Sequence, residues 1–185
     1  MNKLPCGLQD FRAYLDNQHI SGVVDVQLPD IEFATMEVKG AGIGGTIDMP
    51  VPGEINSCQA TINFRTHTDA QATLAGLSSP MLTFRGSQMV NDPQTGANTS
   101  QRVAITIRGP LKKSAEGKLE SGATTDSSVE IEVLYYKKVI DDVVVLEWDK
   151  LAKIFRVNGV DLMAKVRSDM GMDAVGTTAS VPVRI

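Results

Sequence analysis

Along much of this chain apolar and polar residues alternate one by one. Cys58, Ala60, Ile62 and Phe64 alternate with Gln59, Thr61, Asn63 and Arg65, the period of a strand with one buried and one wet face. Val103, Ile105 and Ile107 oppose Arg102, Ala104, Thr106 and Arg108 in the same way. Between Ser128 and Lys138, Val129, Ile131, Val133 and Tyr135 oppose Glu130, Glu132, Leu134 and Tyr136, and the run reads as one strand.

Turn-forming residues separate these runs. Asp16-Asn17-Gln18 predicts an opening hairpin, Pro93 and Gly96 a second turn, and Asp141-Asp142 a third. Two longer stretches predict loops: a glycine-rich one at 39–56 and a polar one at 109–128. A connection of the second kind inside a compact domain is usually functional or ordered by a partner. Helical signals are few. Thr68 or Asp69 caps a short segment stopped by Gly76 and Pro80. Asp161 as N-cap and Gly171 as C′ glycine bound another, with Met163, Val166 and Met170 on one apolar stripe. The pattern predicts a mainly antiparallel β scaffold carrying two short helices.

With 185 residues, 42% hydrophobic and 22% charged, the chain fits one folded domain. No apolar run approaches the length of a membrane span, and the start has no apolar core of a secretory leader, so neither export nor a membrane partner is expected. Cys6 and Cys58 stand in no metal-type spacing and are expected to be reduced thiols in a cytoplasmic setting rather than a disulfide. Residues 1–60 carry three basic side chains against eight acidic ones, while the remainder is nearly neutral. No basic stripe grips phosphates, which argues against a tight nucleic-acid binder.

The segment GAGIGG at 40–45 matches the glycine spacing of a dinucleotide-binding turn. That turn needs a helix after its last glycine. Here Pro50 and Pro52 follow and forbid a helix interior, so no cofactor is expected. Instead Ile43, Ile47, Met49 and Val51 make the stretch apolar, as though a partner surface covers it. His19 and His67 have no neighbouring ligands at metal spacing, Asp141-Asp142 reads as a solvated turn, and no catalytic motif occurs, so neither a metal nor an enzyme is expected. Glu130 and Glu132 share one strand face, either simply solvated or forming an acidic wall.

FRVNGVDLMAKVRSDMGM at 155–172 resembles the closing signature of the major tail tube proteins of contractile-tailed bacteriophages. Asn158, Gly159, Val160, Asp161, Arg167, Gly171 and Met172 carry that resemblance. FRAYLDNQHISGVVDVQLPDI is similar to the family's opening hairpin, with its exit at Leu28-Pro29, EVKGAGIGGTIDMPV to its glycine-rich loop, and residues 84–149 to its central strands. Asp141-Asp142 stands where the family often has Asp-Gly. The resemblance covers residues 9–172; it leaves 173–185 as an extension without a family role.

The resemblance implies a tail-tube fold, an antiparallel β-sandwich or barrel-like subunit at 1–172 with one or two packed helices. It implies hexameric rings stacked head to tail into the inner tube of a contractile tail, a conduit for DNA built in the host cytoplasm and carried in the virion. Its implied partners are further copies of itself, the tail sheath, baseplate and tail-terminator proteins, the tape-measure protein, and DNA passing without specific binding. A tube of a DNA-free bacteriocin-like particle or another contractile injection system is the alternative. On this reading Gly40, Gly42, Ile43, Gly44, Gly45, Ile47, Met49, Lys112 and Lys113 are contact candidates between subunits or rings, and Glu130 and Glu132 line the bore.

Overall fold

A computed structural model describes residues 4–172 apart from Ser21, Ala41, Ile43 and Leu77. The extension at 173–185 and the contact candidate Ile43 therefore lie outside the described residues. The elements run β1 (Leu4–Leu15), β2 (Gln18–Ile20), β3 (Val23–Gln27), β4 (Phe33–Val38), β5 (Ile47–Ile55), β6 (Gln59–Phe64), α1 (Asp69–Gly76), β7 (Met81–Asn91), β8 (Asn98–Arg108), β9 (Leu111–Ala115), β10 (Ser127–Glu132), β11 (Tyr135–Ile140), β12 (Val143–Asp149), β13 (Ile154–Val157), β14 (Val160–Asp161) and α2 (Ala164–Asp169). The architecture is the expected one, mainly β and antiparallel with two short helices.

Eight strands form one sheet in the order β14-β13-β12-β11-β8-β7-β1-β2, and four form another in the order β3-β6-β10-β9. The core lies between their inner faces. Ala60, Ile62 and Phe64 of β6 and Val129 and Ile131 of β10 share one buried cluster with Leu82 and Phe84 of β7, Ile107 of β8 and Trp148 of β12. The alternation read from β6 is thus the alternation of burial. Helix α1 buries Leu74 and Gln71, and Gln71 donates to Ser114 Oγ of β9 at 3.4 Å.

Two-residue turns join neighbours in the larger sheet. Asp16 and Asn17 have φ of 46° and 68°, Asp141 and Asp142 47° and 66°, Asn158 and Gly159 50° and 84°. Positive φ at both central positions gives a turn whose twist matches the strands it joins. Asp141-Asp142 therefore keeps the geometry an Asp-Gly pair would supply, with the carboxylates of Asp141 and Asp142 both bonded to Arg102.

The run from 128 to 138 is not one strand. Chain passes from the small sheet to the large one at Val133-Leu134, where Val133 N–H donates to the Cys58 carbonyl and Leu134 N–H to the Arg108 carbonyl, each at 2.9 Å. The crossing shifts the parity. Val129, Ile131 and Val133 are buried as expected, but Tyr136 rather than Tyr135 continues the buried set, stacked on Trp148 with ring centroids 5.7 Å apart. Chain between β8 and β9 crosses the other way beside it, through Gly109, where a Cβ would run into the Glu132 carbonyl. The two sheets are thus stitched at one corner by chain that must lack a side chain there.

Candidate assembly interface

The stretch read as a glycine loop at 39–56 is only half loop: its second half is β5, which pairs with β4 in a two-stranded sheet of its own. Between β4 and β5, Cβ atoms on Gly40, Gly42, Gly44 or Gly45 would meet open space. The glycines lie between antiparallel strands, which is why their spacing makes no nucleotide turn. Pro50 and Pro52 sit in β5, a strand with a partner on one side only, where a missing donor is tolerated.

Register sorts this arm into two faces. Met36 pairs with Met49 and Val38 with Ile47 on one, while Glu37 pairs with Asp48 on the other. Met36, Ile47 and Met49 are 59%, 49% and 50% exposed. The root is anchored: Phe33 packs edge-on against Phe155 at 5.5 Å between centroids, Asn56 N–H donates to the Glu32 carbonyl at 2.8 Å, and Gly53 lies against the Met163 thioether. Beyond the root, a lone hairpin with one greasy face is marginal in water.

The polar stretch 109–128 is also more regular than expected. It contains β9, and the remainder folds back on itself, with Lys118 N–H donating to the Thr125 carbonyl at 2.9 Å and Thr125 N–H to the Arg65 carbonyl at 3.1 Å. These bonds fasten part of its backbone within the subunit. Lys112 donates to Gln59 Oε1 at 3.2 Å and Lys113 to Glu130 Oε1 at 3.1 Å.

Glu130 and Glu132 do project from the outer face of the four-stranded sheet, but neither is bare. Glu130 pairs with Lys113. Glu132 accepts from Ser57 Oγ at 2.8 and 3.0 Å and from Cys58 N–H at 3.3 Å, with Lys150 Nζ 3.6 Å away. With Asp25 bonded to Asn63 at 2.6 Å, the face is polar and close to charge-balanced rather than an acidic wall.

The closing signature forms one structural unit. Asn158 and Gly159 turn β13 into β14, and Asp161 then meets Arg167 of α2. Asp161 is not the N-cap; Met163 holds that position, and Asp161 Oδ1 instead accepts the Met163 N–H at 3.0 Å. Burial would raise the Asp161 pKa, but hydrogen bonds from Arg167 and the Met163 N–H, with the charges of Arg167 and Arg156, lower it below the usual carboxylate range. Gly171 is the C′ glycine as expected: at φ 69° it donates to the Ser168 carbonyl, while Met172 donates to Arg167. The apolar stripe is corrected. Of its three residues only Met163 is buried; Val166 and Met170 are exposed, and Arg167 occupies the inward face.

One feature escaped the sequence. Arg12 of β1 stands directly opposite Arg85 of β7, and Arg102 follows on β8. The three are distant along the chain, and only strand register brings them together. Among the described residues, no three His, Cys, Asp or Glu side chains are placed to hold a metal, and no helix is long and apolar enough to cross a membrane. His19 packs against Tyr14 and His67 lies 3.5 Å from Glu116. Cys6 is exposed, Cys58 is buried, and both are free thiols.

A sandwich with edge strands at both ends of each sheet and a projecting arm with one exposed apolar face has the architecture of a structural subunit. The chain belongs to the family of phage tail tube protein FII, whose model matches residues 5–171. It is 24% identical over 174 residues to the tail tube protein of Escherichia phage P2, covering 91% of this chain and 99% of that one. It is 25% identical over 168 residues to the major tail tube protein of Serratia phage KSP20, covering 86% and 91%.

Proposed function

We propose that six copies close into a ring and that rings stack head to tail as the inner tube of a contractile tail, a conduit for DNA. The observation that carries this is the pair of free edges on the four-stranded sheet. Successive strands in the order β3-β6-β10-β9 are antiparallel, so β3 and β9 run in opposite directions. Rotating one copy onto the next therefore sets β9 against β3 as a further antiparallel pair, and closure leaves no edge of this sheet open to aggregation. Six such sheets make about 24 strands, which at about 4.8 Å spacing and a tilt of about 40° enclose a wall about 48 Å across, wider than duplex DNA.

In that ring the outer face of the four-stranded sheet, with Glu130 and Glu132, lines the bore. Its paired charges suit passage: a lysine-rich wall would hold a polyanion through counterion release, whereas a balanced one does not. The larger sheet then faces outward to the tail sheath, and the tube's ends meet baseplate and tail-terminator proteins. Assembly takes place in the host cytoplasm around the tape-measure protein. Cryo-electron microscopy of assembled protein tests the reading. A hollow rod with Glu130 inside supports it; rods with that residue on the exterior overturn the bore assignment, and a monomer at every concentration overturns the tube.

A further inference from the structure

The outer face of the eight-stranded sheet carries a groove of about 650 Å³. One cross-sheet row runs Arg12, Arg85, Ala104, Val139 through four strands, with Arg102 two residues from Ala104 on the same face. Ala104 and Val139 are half-buried and form a floor; the three arginines are exposed and form a rim. Like charges directly opposite in a sheet oppose folding, and neither Asp10 nor Asp142, the acidic residues of the lining, pairs with Arg12 or Arg85.

The same chain carries the complement. On the arm, Glu37 stands directly opposite Asp48, a second like-charge pair of the other sign, behind the apolar Met36–Met49 and Val38–Ile47 pairs, and only the exposed Lys39, 3.4 Å from Glu37, offsets it. Segment 30–55 as a whole holds Asp30, Glu32, Glu37, Asp48 and Glu54 against Lys39 alone. We infer that the groove receives the β4–β5 arm of a second copy. The arm's greasy pairs lie on the Ala104–Val139 floor, and Arg12 and Arg85 rise along its flank toward Glu37 and Asp48, while Arg102 stays with Asp142. Arm and groove are different surfaces, so the contact is heterologous and propagates from copy to copy. This rests on the tube reading and names the surface that holds the arm.

Charge reversal tests it, with pelleting and negative-stain microscopy as readouts and circular dichroism to verify folding. Arg12→Glu with Arg85→Glu, or Glu37→Lys with Asp48→Lys, is expected to lower the pelletable rod fraction about tenfold, and all four together to restore most of it. A cysteine pair, Met49→Cys with Val139→Cys in a Cys6→Ser background, is expected to cross-link neighbouring copies upon oxidation. Rods from wild type that are indifferent to both reversals overturn the pairing alone. Reversals that block assembly without mutual rescue overturn the arm as occupant. A wild type that never assembles overturns the tube reading and this pairing with it.

Discussion

Arg167 donates through Nη2 to Asp161 Oδ2 at 2.6 Å and through Nη1 to the Lys153 carbonyl at 2.7 Å, tying α2 to the β13–β14 hairpin. Arg167 is 4% exposed. Removing Arg167 leaves Asp161 with Arg156 alone, 3.5 Å away, and the Lys153 carbonyl without its donor, at a cost near the low end for a broken buried pair, about 3 kcal/mol. Arg167→Met is expected to lower the melting temperature by about 10 °C. Calorimetry within about 2 °C of wild type would show that the pair holds nothing.

The same pair gives the fold an acid limit. Asp161 binds its proton less tightly folded than unfolded, so its contribution is complete above the unfolded value of about 3.9 and is lost as pH falls through the lower folded value. Stability measured by urea titration is expected to be level in this term above about pH 5 and to decline below about pH 4. In Asp161→Asn that part of the decline disappears.

Val166→Asp reads from the sequence as a charge placed on an apolar stripe. Its side chain is in fact exposed on α2, so the isolated subunit is expected to lose no more than about 0.5 kcal/mol. A loss above about 2 kcal/mol in chemical denaturation would put Val166 back in the core.

The difference between α2 and β6 shows what the sequence made legible. In β6 the whole buried face is apolar, so period and burial coincide. In α2 the buried position is an arginine whose partner, Asp161, sits on another element, so a hydrophobic stripe points to the wrong side. The turns at 16–17, 141–142 and 158–159 were legible because their residue types carry local backbone preferences. The sheet change at Val133-Leu134 was not, because alternation runs unbroken through it while tertiary hydrogen bonds redirect the chain. β5 was hidden by its prolines, which count against a strand unless one side is unpaired. The Arg12–Arg85 pair exists only in the register of two strands far apart in sequence, so no local pattern announces it.

The two thiols differ in reach. Burial raises the Cys58 pKa, opposed by Lys150 and reinforced by Glu132, and its Sγ faces the Val133 carbonyl at 3.8 Å. Cys6 is exposed on β1. Thiolate is the reactive form, so an aromatic disulfide reagent at pH 8 is expected to label Cys6 within minutes and Cys58 only on unfolding. Two equally fast thiols in the native protein would contradict the buried position of Cys58, immediately before β6.

Gly53 tests how the arm is held. Its φ of 79° lies where a side chain is strained, and a Cβ there would land on the Met163 thioether at the start of α2. An l-residue in such a conformation costs about 1–2 kcal/mol. Met163 is a core residue and its Cγ as well as its sulfur would be struck, so Gly53→Ala combines backbone strain at the arm's root with displacement of a buried side chain. Global stability is expected to fall by at least about 1–2 kcal/mol, while amide exchange of β4 and β5 rises more than that of β6. Exchange rising equally in all three strands would mean that the root is part of the core rather than the hinge of a separately held arm.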